Sequence, residues 1–140
     1  MCRSLLALLG LSFAAAAQPA ITQVTASVRG TDGNIYSTGV TNSPDFPTTT
    51  EPASRPSKDD FRPFVWKLSP AGRVLYSSLI AAPTSSPRSI SVNAKGEVLI
   101  AGTTVETGAI TFPETPGAVR PTPAANPVFL VKLNASGSKL

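Results

Sequence analysis

Three aspartates in one segment are the best candidates for binding a metal ion: Asp45, Asp59 and Asp60. Ca²⁺ takes a larger set of oxygen ligands at a defined spacing, as in the EF-hand loop, and these residues do not follow that spacing. Residues 32–34, Asp-Gly-Asn, have the composition of a calcium loop, but turn chemistry explains them fully. We therefore predict solvated acids and no metal ion or other cofactor.

Aromatic residues offer a second kind of chemistry, the stacking of a sugar or a peptide. Phe64, Trp66 and Phe129 lie at the two-residue period of β-strands, which indicates buried core positions instead. Phe46 and Phe112 each precede a proline in a long loop. Either they are exposed anchors for a ligand or they pin the loop onto the sheet, and pinning is the favoured interpretation.

Histidine is absent from the chain, and Cys2 is its only cysteine. The usual general base, the commonest metal ligand and catalytic sites of the Ser-His-Asp or Cys-His type are therefore excluded. The 12 basic and 8 acidic side chains give a net charge of +4, and the basic residues are dispersed along the chain. Nucleic-acid binding needs them clustered. We predict neither catalysis nor nucleic-acid binding.

The first 17 residues have the pattern of a secretory signal peptide. Arg3 supplies a positive charge, residues 5–16 form an almost unbroken apolar run, and small alanines precede Gln18. We predict cleavage between Ala17 and Gln18, a secreted, periplasmic or cell-surface location, and no membrane span after cleavage. An uncleaved anchor is the weaker alternative, because a span needs about 20 apolar residues.

The elements that would position the candidate residues are β-hairpins that occur twice. Residues 64–76 alternate as two strands around a Ser-Pro-Ala-Gly turn, and residues 129–137 repeat the first strand and the turn. Residues 33–41 match residues 96–104 at an offset of 63. Gly39 is expected where a side chain would collide with a neighbouring backbone. The turn before the second copy is interpreted as one residue shorter.

Three proline-rich connections separate the strands: residues 42–63, 81–87 and 105–127. Proline disfavours both a helix and a central strand, so stiff surface loops are predicted there. All three are expected on one side of the molecule, which would form a recognition surface; the alternative is that they are tolerated insertions. The candidate recognition residues on these loops are Phe46, Asp59, Asp60 and Phe112.

Each copy therefore has the order of a β-propeller blade: strand, tight turn, strand, long loop, strand, tight turn, strand. We predict an all-β fold of antiparallel four-stranded blades, about one and three-quarter of them. The first blade spans residues 18–87, and the second, truncated blade spans residues 88–140. Because propellers close with about four to eight blades, this one would be incomplete, and its open blade edges favour self-association.

The order of these motifs resembles the bacterial seven-bladed β-propeller repeat known as the SBBP repeat. The resemblance rests on GNIYSTGVTNSPDFPTT at residues 33–49, FVWKLSPAG at 64–72 and LYSS at 75–78. The second copy departs from the pattern, with Glu97 in place of the asparagine and with residues 107–111 lengthening the loop. The resemblance implies exported or surface-associated proteins of many repeats, without a general enzymatic activity in the repeat.

The sequence thus predicts a secreted, non-catalytic β-propeller repeat module that acts as a scaffold or as a binding surface for an unknown protein or glycan. One alternative is a truncated fragment of a longer propeller without independent activity. A propeller-type hydrolase or lyase is disfavoured because the innermost strands offer no acid or base. The residues of these strands include Val24, Ala26, Val28, Ile90 and Val92, and none of these is titratable.

Overall fold

The computed structural model describes residues 19–49, 55–57, 59–82, 84–105, 115–116 and 128–138. These residues form two antiparallel sheets and no helix, which confirms the predicted all-β, antiparallel class. The strands are β1 (Thr22–Arg29), β2 (Ile35–Thr41), β3 (Arg62–Leu68), β4 (Val74–Leu79), β5 (Ser85–Val92), β6 (Val98–Thr104) and β7 (Val128–Leu133). The first sheet has the order β1-β2-β3-β4 and the second β5-β6-β7. The predicted signal peptide lies outside the described residues.

Four tight turns share one geometry: the β1–β2, β3–β4 and β5–β6 turns and the turn after β7. In each, the fourth residue is a glycine whose N–H donates to the carbonyl oxygen of the first residue, at 2.9 to 3.0 Å. These glycines have positive φ: Gly33 79°, Gly72 80°, Gly96 77° and Gly137 67°. A type I turn closed by a left-handed glycine suits a right-twisted hairpin, and only glycine adopts that φ freely. The positive φ predicted for the Ser-Pro-Ala-Gly turn is confirmed.

Both sheets repeat one irregularity in their first strand. The pairing register skips Thr25 in β1 and Arg88 in β5, so each strand carries a β-bulge at the same place. Beside the bulges, a Cβ on Gly39 would overlap the carbonyl oxygen of Gln23, and a Cβ on Gly102 would overlap that of Ser86. The collision expected at Gly39 is confirmed, and it recurs 63 residues later.

The hydrophobic core lies between the two sheets. Strand alternation points Tyr36 and Val65 of the first sheet toward Ile100 and Val131 of the second, and all four are buried. Two hydrogen bonds also join the sheets, from Thr25 Oγ1 to the Pro87 carbonyl at 2.8 Å and from Ser78 Oγ to the Gly137 carbonyl at 2.6 Å. The core cluster is Tyr36, Val65, Tyr76, Ile80, Ala82, Ile90, Val98, Ile100, Phe129, Val131 and Leu133.

Each sheet has a second face that points away from this core. On the first sheet we call it the aromatic face, and its residues on β2 and β3 are Ile35, Ser37, Gly39, Phe64, Trp66 and Leu68. On the second sheet we call it the open face, and its residues on β6 and β7 are Leu99, Ala101, Thr103, Val128, Leu130 and Lys132.

The four turns lie at one end of the stack, the turn end. Gly96 approaches the hydroxyl of Tyr36, which stands beside the β1–β2 turn, and Gly137 packs on the ring of Tyr76. The described strands therefore enter and leave the long connections at the opposite end, which we call the loop end.

Two connections are shorter than predicted. β5 begins at Ser85, so the linker predicted over residues 81–87 stops three residues early and Pro87 lies inside a strand. β3 begins at Arg62 and includes Pro63, which corrects the end of the loop predicted over residues 42–63. Pro63 lies near the start of its strand and Pro87 beside a bulge, and both are positions at which a sheet tolerates proline.

The prediction of a shorter turn in the second copy is wrong, because both turns have four residues and the same hydrogen bonds. What changes is the apolar pattern of the first strand in each copy. The apolar residues are Ala26 and Val28 in β1, whereas in β5 they are Ile90 and Val92, one position later in the repeat. A shift of one residue reverses the face that a strand presents. As a result, β1 and β5 each turn apolar side chains toward the other sheet.

Candidate functional site

Three aromatic rings cover the centre of the aromatic face. Phe46, from the connection after β2, stacks on Trp66 with ring centroids 5.4 Å apart and planes 3° apart, and it lies 5.0 Å from Phe64. Phe46 is 2% exposed and Phe64 is fully buried. The pinning interpretation of Phe46 is therefore confirmed. As a correction, Phe46 does not stand at the surface as an exposed recognition residue, because its ring contacts the sheet.

The segment after Phe46 is fixed along the outer strand of the first sheet. The Thr49 N–H donates to the Ser77 carbonyl at 2.8 Å, and the Ser77 N–H donates back to Thr49 Oγ1 at 3.0 Å. Trp66 Nε1 donates to Ser77 Oγ at 2.8 Å, and Ser77 Oγ donates to the Pro47 carbonyl at 2.6 Å. The connection thus covers part of the edge of β4, which would otherwise present free backbone groups.

Arg55 holds the same segment from its other side. Its Nη1 donates to the carbonyl oxygens of Phe46, at 3.0 Å, and Pro44, at 3.3 Å, and its Nη2 donates to Thr48 Oγ1 at 3.3 Å. Bonds from one guanidinium to several acceptors reduce the conformations open to a loop. The described part of this connection is therefore held in place by Phe46 and Arg55 together.

The predicted acidic residues are spread over this connection. Asp60 pairs with Arg62, whose Nη2 and Nε lie 2.7 and 2.9 Å from Asp60 Oδ2, whereas Asp45 and Asp59 are exposed. The three are not gathered into a set of metal ligands, and no group of three or more such residues occurs in the described part of the chain. Phe112, the remaining predicted recognition residue, lies outside that part.

A charged cluster that the sequence reasoning missed lies at the turn end. Lys67 Nζ is 2.9 Å from Asp32 Oδ2 and 5.0 Å from the centroid of the Tyr36 ring, and the Tyr36 hydroxyl donates to Asp32 Oδ2 at 2.8 Å. The bonds from Asn34 and Lys67 hold the pKa of Asp32 well below its ordinary value. Burial lowers the pKa of Lys67, but its bonds to Tyr36 and Asp32 outweigh burial and raise the pKa overall.

Burial likewise raises the pKa of Tyr36, so at neutral pH each group of this cluster keeps its ordinary charge. General acid–base catalysis favours groups with a pKa near the working pH, and these pKa values are moved away from it. The cluster is therefore suited to holding the β1–β2 turn on the sheet and not to transferring protons. Its residues are adjacent only through pairing of β2 with β3, which the linear sequence does not display.

The open face of the second sheet carries exposed apolar side chains. Val128 is 72% exposed, Leu130 67% and Leu99 38%. A shallow cleft of about 210 Å³ lies at its turn end, between Leu99, Ser91 and Lys132. Exposed apolar groups that lie together mark sites of association, whereas single ones are ordinary. The near-continuous apolar runs of β6 and β7 are typical of strands that are covered on both faces, but they do not indicate what covers this one.

No protein-family model, curated protein or solved structure matches the chain. Within the described ranges, no helix is long and apolar enough to cross a membrane.

Proposed function

We propose that the chain is a secreted, non-catalytic β-propeller repeat module whose loop end serves as a scaffold or a binding surface for a protein or a glycan. The observation that supports this proposal most is the direction in which the two sheets stack. Tyr36 faces the second sheet, whereas its equivalent Leu99 faces away from the first sheet. Conversely, Ser37 faces away from the core and its equivalent Ile100 faces into it.

Equivalent faces of the two sheets thus point in the same direction, so the front of one sheet packs on the back of the other. Stacking of this kind can continue from sheet to sheet, as the radial repetition of propeller blades requires. The shared bulges, glycines and turns support the same reading, because they make the two sheets alike in detail.

A binding role fits the loop end better than a catalytic one. Phe46 and Arg55 fix the described part of the first long connection, and Asp45 and Asp59 are exposed on that part. A connection that is ordered before a ligand arrives loses less conformational entropy on binding. The chain also has no histidine to act as a general base there.

Binding is tested with the full chain on arrays of glycans and of immobilised proteins. We expect a specific ligand whose signal falls at least tenfold in Asp59→Lys, a change at the loop end. The matched control is Thr31→Lys, which adds a lysine at an exposed position of the turn end. Equal loss in both variants, or a folded chain that binds nothing on any array, would contradict the binding role.

Export is tested separately by expressing the full chain in a bacterium and sequencing the N-terminus of the product outside the cytoplasm. The predicted signal peptide requires a new N-terminus at Gln18. A product that keeps Met1 and stays in the cytoplasm would contradict the proposed location without affecting the proposed fold.

The alternative is that the chain supplies repeats to a larger propeller and has no activity alone. The exposed Leu130 and Val128 favour this alternative, because a further sheet would cover them. This alternative predicts that the full chain is unfolded or aggregated. Far-ultraviolet circular dichroism and sedimentation measure this, and a folded β-protein would count against the alternative.

A further inference from the structure

The open face is the copy of a face that the chain itself buries. Leu130 is 67% exposed, yet its equivalent in the first sheet, Val65, is fully buried against the second sheet. Leu99 is 38% exposed, and its equivalent Tyr36 is fully buried. The open face therefore has the residue pattern of a covered surface.

The aromatic face has the complementary property. Val98 and Leu133 of the second sheet are 0% and 3% exposed against the first sheet, whereas their equivalents Ile35 and Leu68 are only partly buried. The same holds in the first strands, where Pro87 is fully buried and its equivalent Val24 is 46% exposed. Phe46 covers the middle of the aromatic face and leaves these flanking apolar residues accessible.

We infer that copies of this chain associate head to tail, with the open face of one copy packed on the aromatic face of the next copy. The chain already makes a contact of this kind internally, between its first and second sheets. Each copy presents the counterparts of that contact, which are the open face and the apolar flanks of the aromatic face around Phe46. A contact between two different surfaces is heterologous, and it continues into a ring or a filament unless both ends are blocked. This inference goes beyond the proposed function, which concerns the loop end.

The cleft on the open face agrees with this geometry. Leu99 and Lys132, which line it, are the equivalents of Tyr36 and Lys67. Inside the chain, the β5–β6 turn comes to rest at that place, where Gly96 approaches the Tyr36 hydroxyl. The cleft therefore receives the β1–β2 turn of the next copy. Contact is centred on β6 and β7, since β5 places Ser89 and Ser91 on the open face.

The test uses two blocking variants of the full chain, Leu130→Lys on the open face and Val24→Lys on the aromatic face. Both positions are exposed, so the substitutions leave the core intact, and circular dichroism verifies that the sheets form. The control is Ser57→Lys, which adds the same charge at an exposed position of the loop end. Mass is measured by sedimentation velocity on each protein and on an equimolar mixture of the two blocking variants.

We expect the unchanged chain and Ser57→Lys to sediment as assemblies larger than a monomer, and each blocking variant alone to sediment as a monomer. The mixture forms a dimer of twice the monomer mass and nothing larger, because Val24→Lys keeps an intact open face and Leu130→Lys keeps an intact aromatic face.

Three outcomes would overturn the inference. The first is a folded, monomeric unchanged chain, which leaves the proposed ligand binding untouched. The second is a monomeric Leu130→Lys beside a dimeric Val24→Lys, since open faces would then pair with each other. The third is a mixture that remains monomeric, because the two faces would then not recognise one another.

Discussion

The two sheets are copies of one repeat, yet they differ in what covers them. The first sheet is covered by the second sheet on one face and, over the middle of the other face, by the Phe46 segment, whereas the described residues cover the second sheet on one face only. Equivalent residues of similar type therefore have opposite environments, as Val65 and Leu130 show. The repeat therefore specifies which faces are apolar, while the neighbouring sheet determines which of them are buried.

The largest effect is expected where the covering of the first sheet is removed. Phe46→Ala takes away the ring stacked on Trp66 and should lower the free energy of unfolding by about 3 to 5 kcal/mol. Leu75→Ala, at a 46% exposed position, is the control and should change it by less than about 0.5 kcal/mol. Urea denaturation measures both, and equal midpoints for Phe46→Ala and the unchanged chain would show that the segment does not stabilise the sheet.

Adding one methyl group to each sheet tests whether the two sheets are structurally equivalent. Gly39→Ala and Gly102→Ala place a Cβ against the backbone of the bulged strand beside it, and each should cost about 2 to 3 kcal/mol. The same denaturation experiment is expected to give similar losses for both variants. A loss confined to one of them would mean that the bulges are not structurally equivalent.

The contrast in burial is measured directly by a matched pair of truncations. Val65→Ala opens a cavity in the core and should cost about 2 kcal/mol, whereas Leu130→Ala should cost less than about 0.5 kcal/mol in a monomeric background. That background is provided by Val24→Lys in both proteins. Similar losses at the two positions would break the contrast between a covered and an uncovered face.

The smallest effect concerns the charged cluster at the turn end. The pKa of Asp32 is lowered in the folded chain, so its contribution to stability is present above the ordinary aspartate pKa and is lost as the pH falls through the lowered value. The free energy of unfolding should therefore decrease less in Asp32→Asn than in the unchanged chain as the pH falls from about 5 to about 2. The difference should be at most about 1 kcal/mol, because the pair of Asp32 and Lys67 is partly exposed. An unchanged slope would show that the pair adds no stability.

Local features of the fold could be predicted because neighbouring residues determine them. The turn glycines follow from the backbone conformation that the turns require, and the steric role of Gly39 follows from its place in a strand. The start of β5 could not be predicted, since Pro87 reads as a linker until the bulge beside it is known. The candidate site could likewise be predicted only in part, because the burial of Phe46 depends on the Trp66 ring, which is 20 residues away in the sequence.

Short stretches of chain are enough to predict the alternation of apolar residues, the positions of the turns and the doubling of the unit. The burial of Tyr36, the exposure of its equivalent Leu99 and the contact between Lys67 and Asp32 become visible only in the folded chain. Burial and pairing depend on residues brought together by strand pairing and sheet stacking, and no local pattern carries that information.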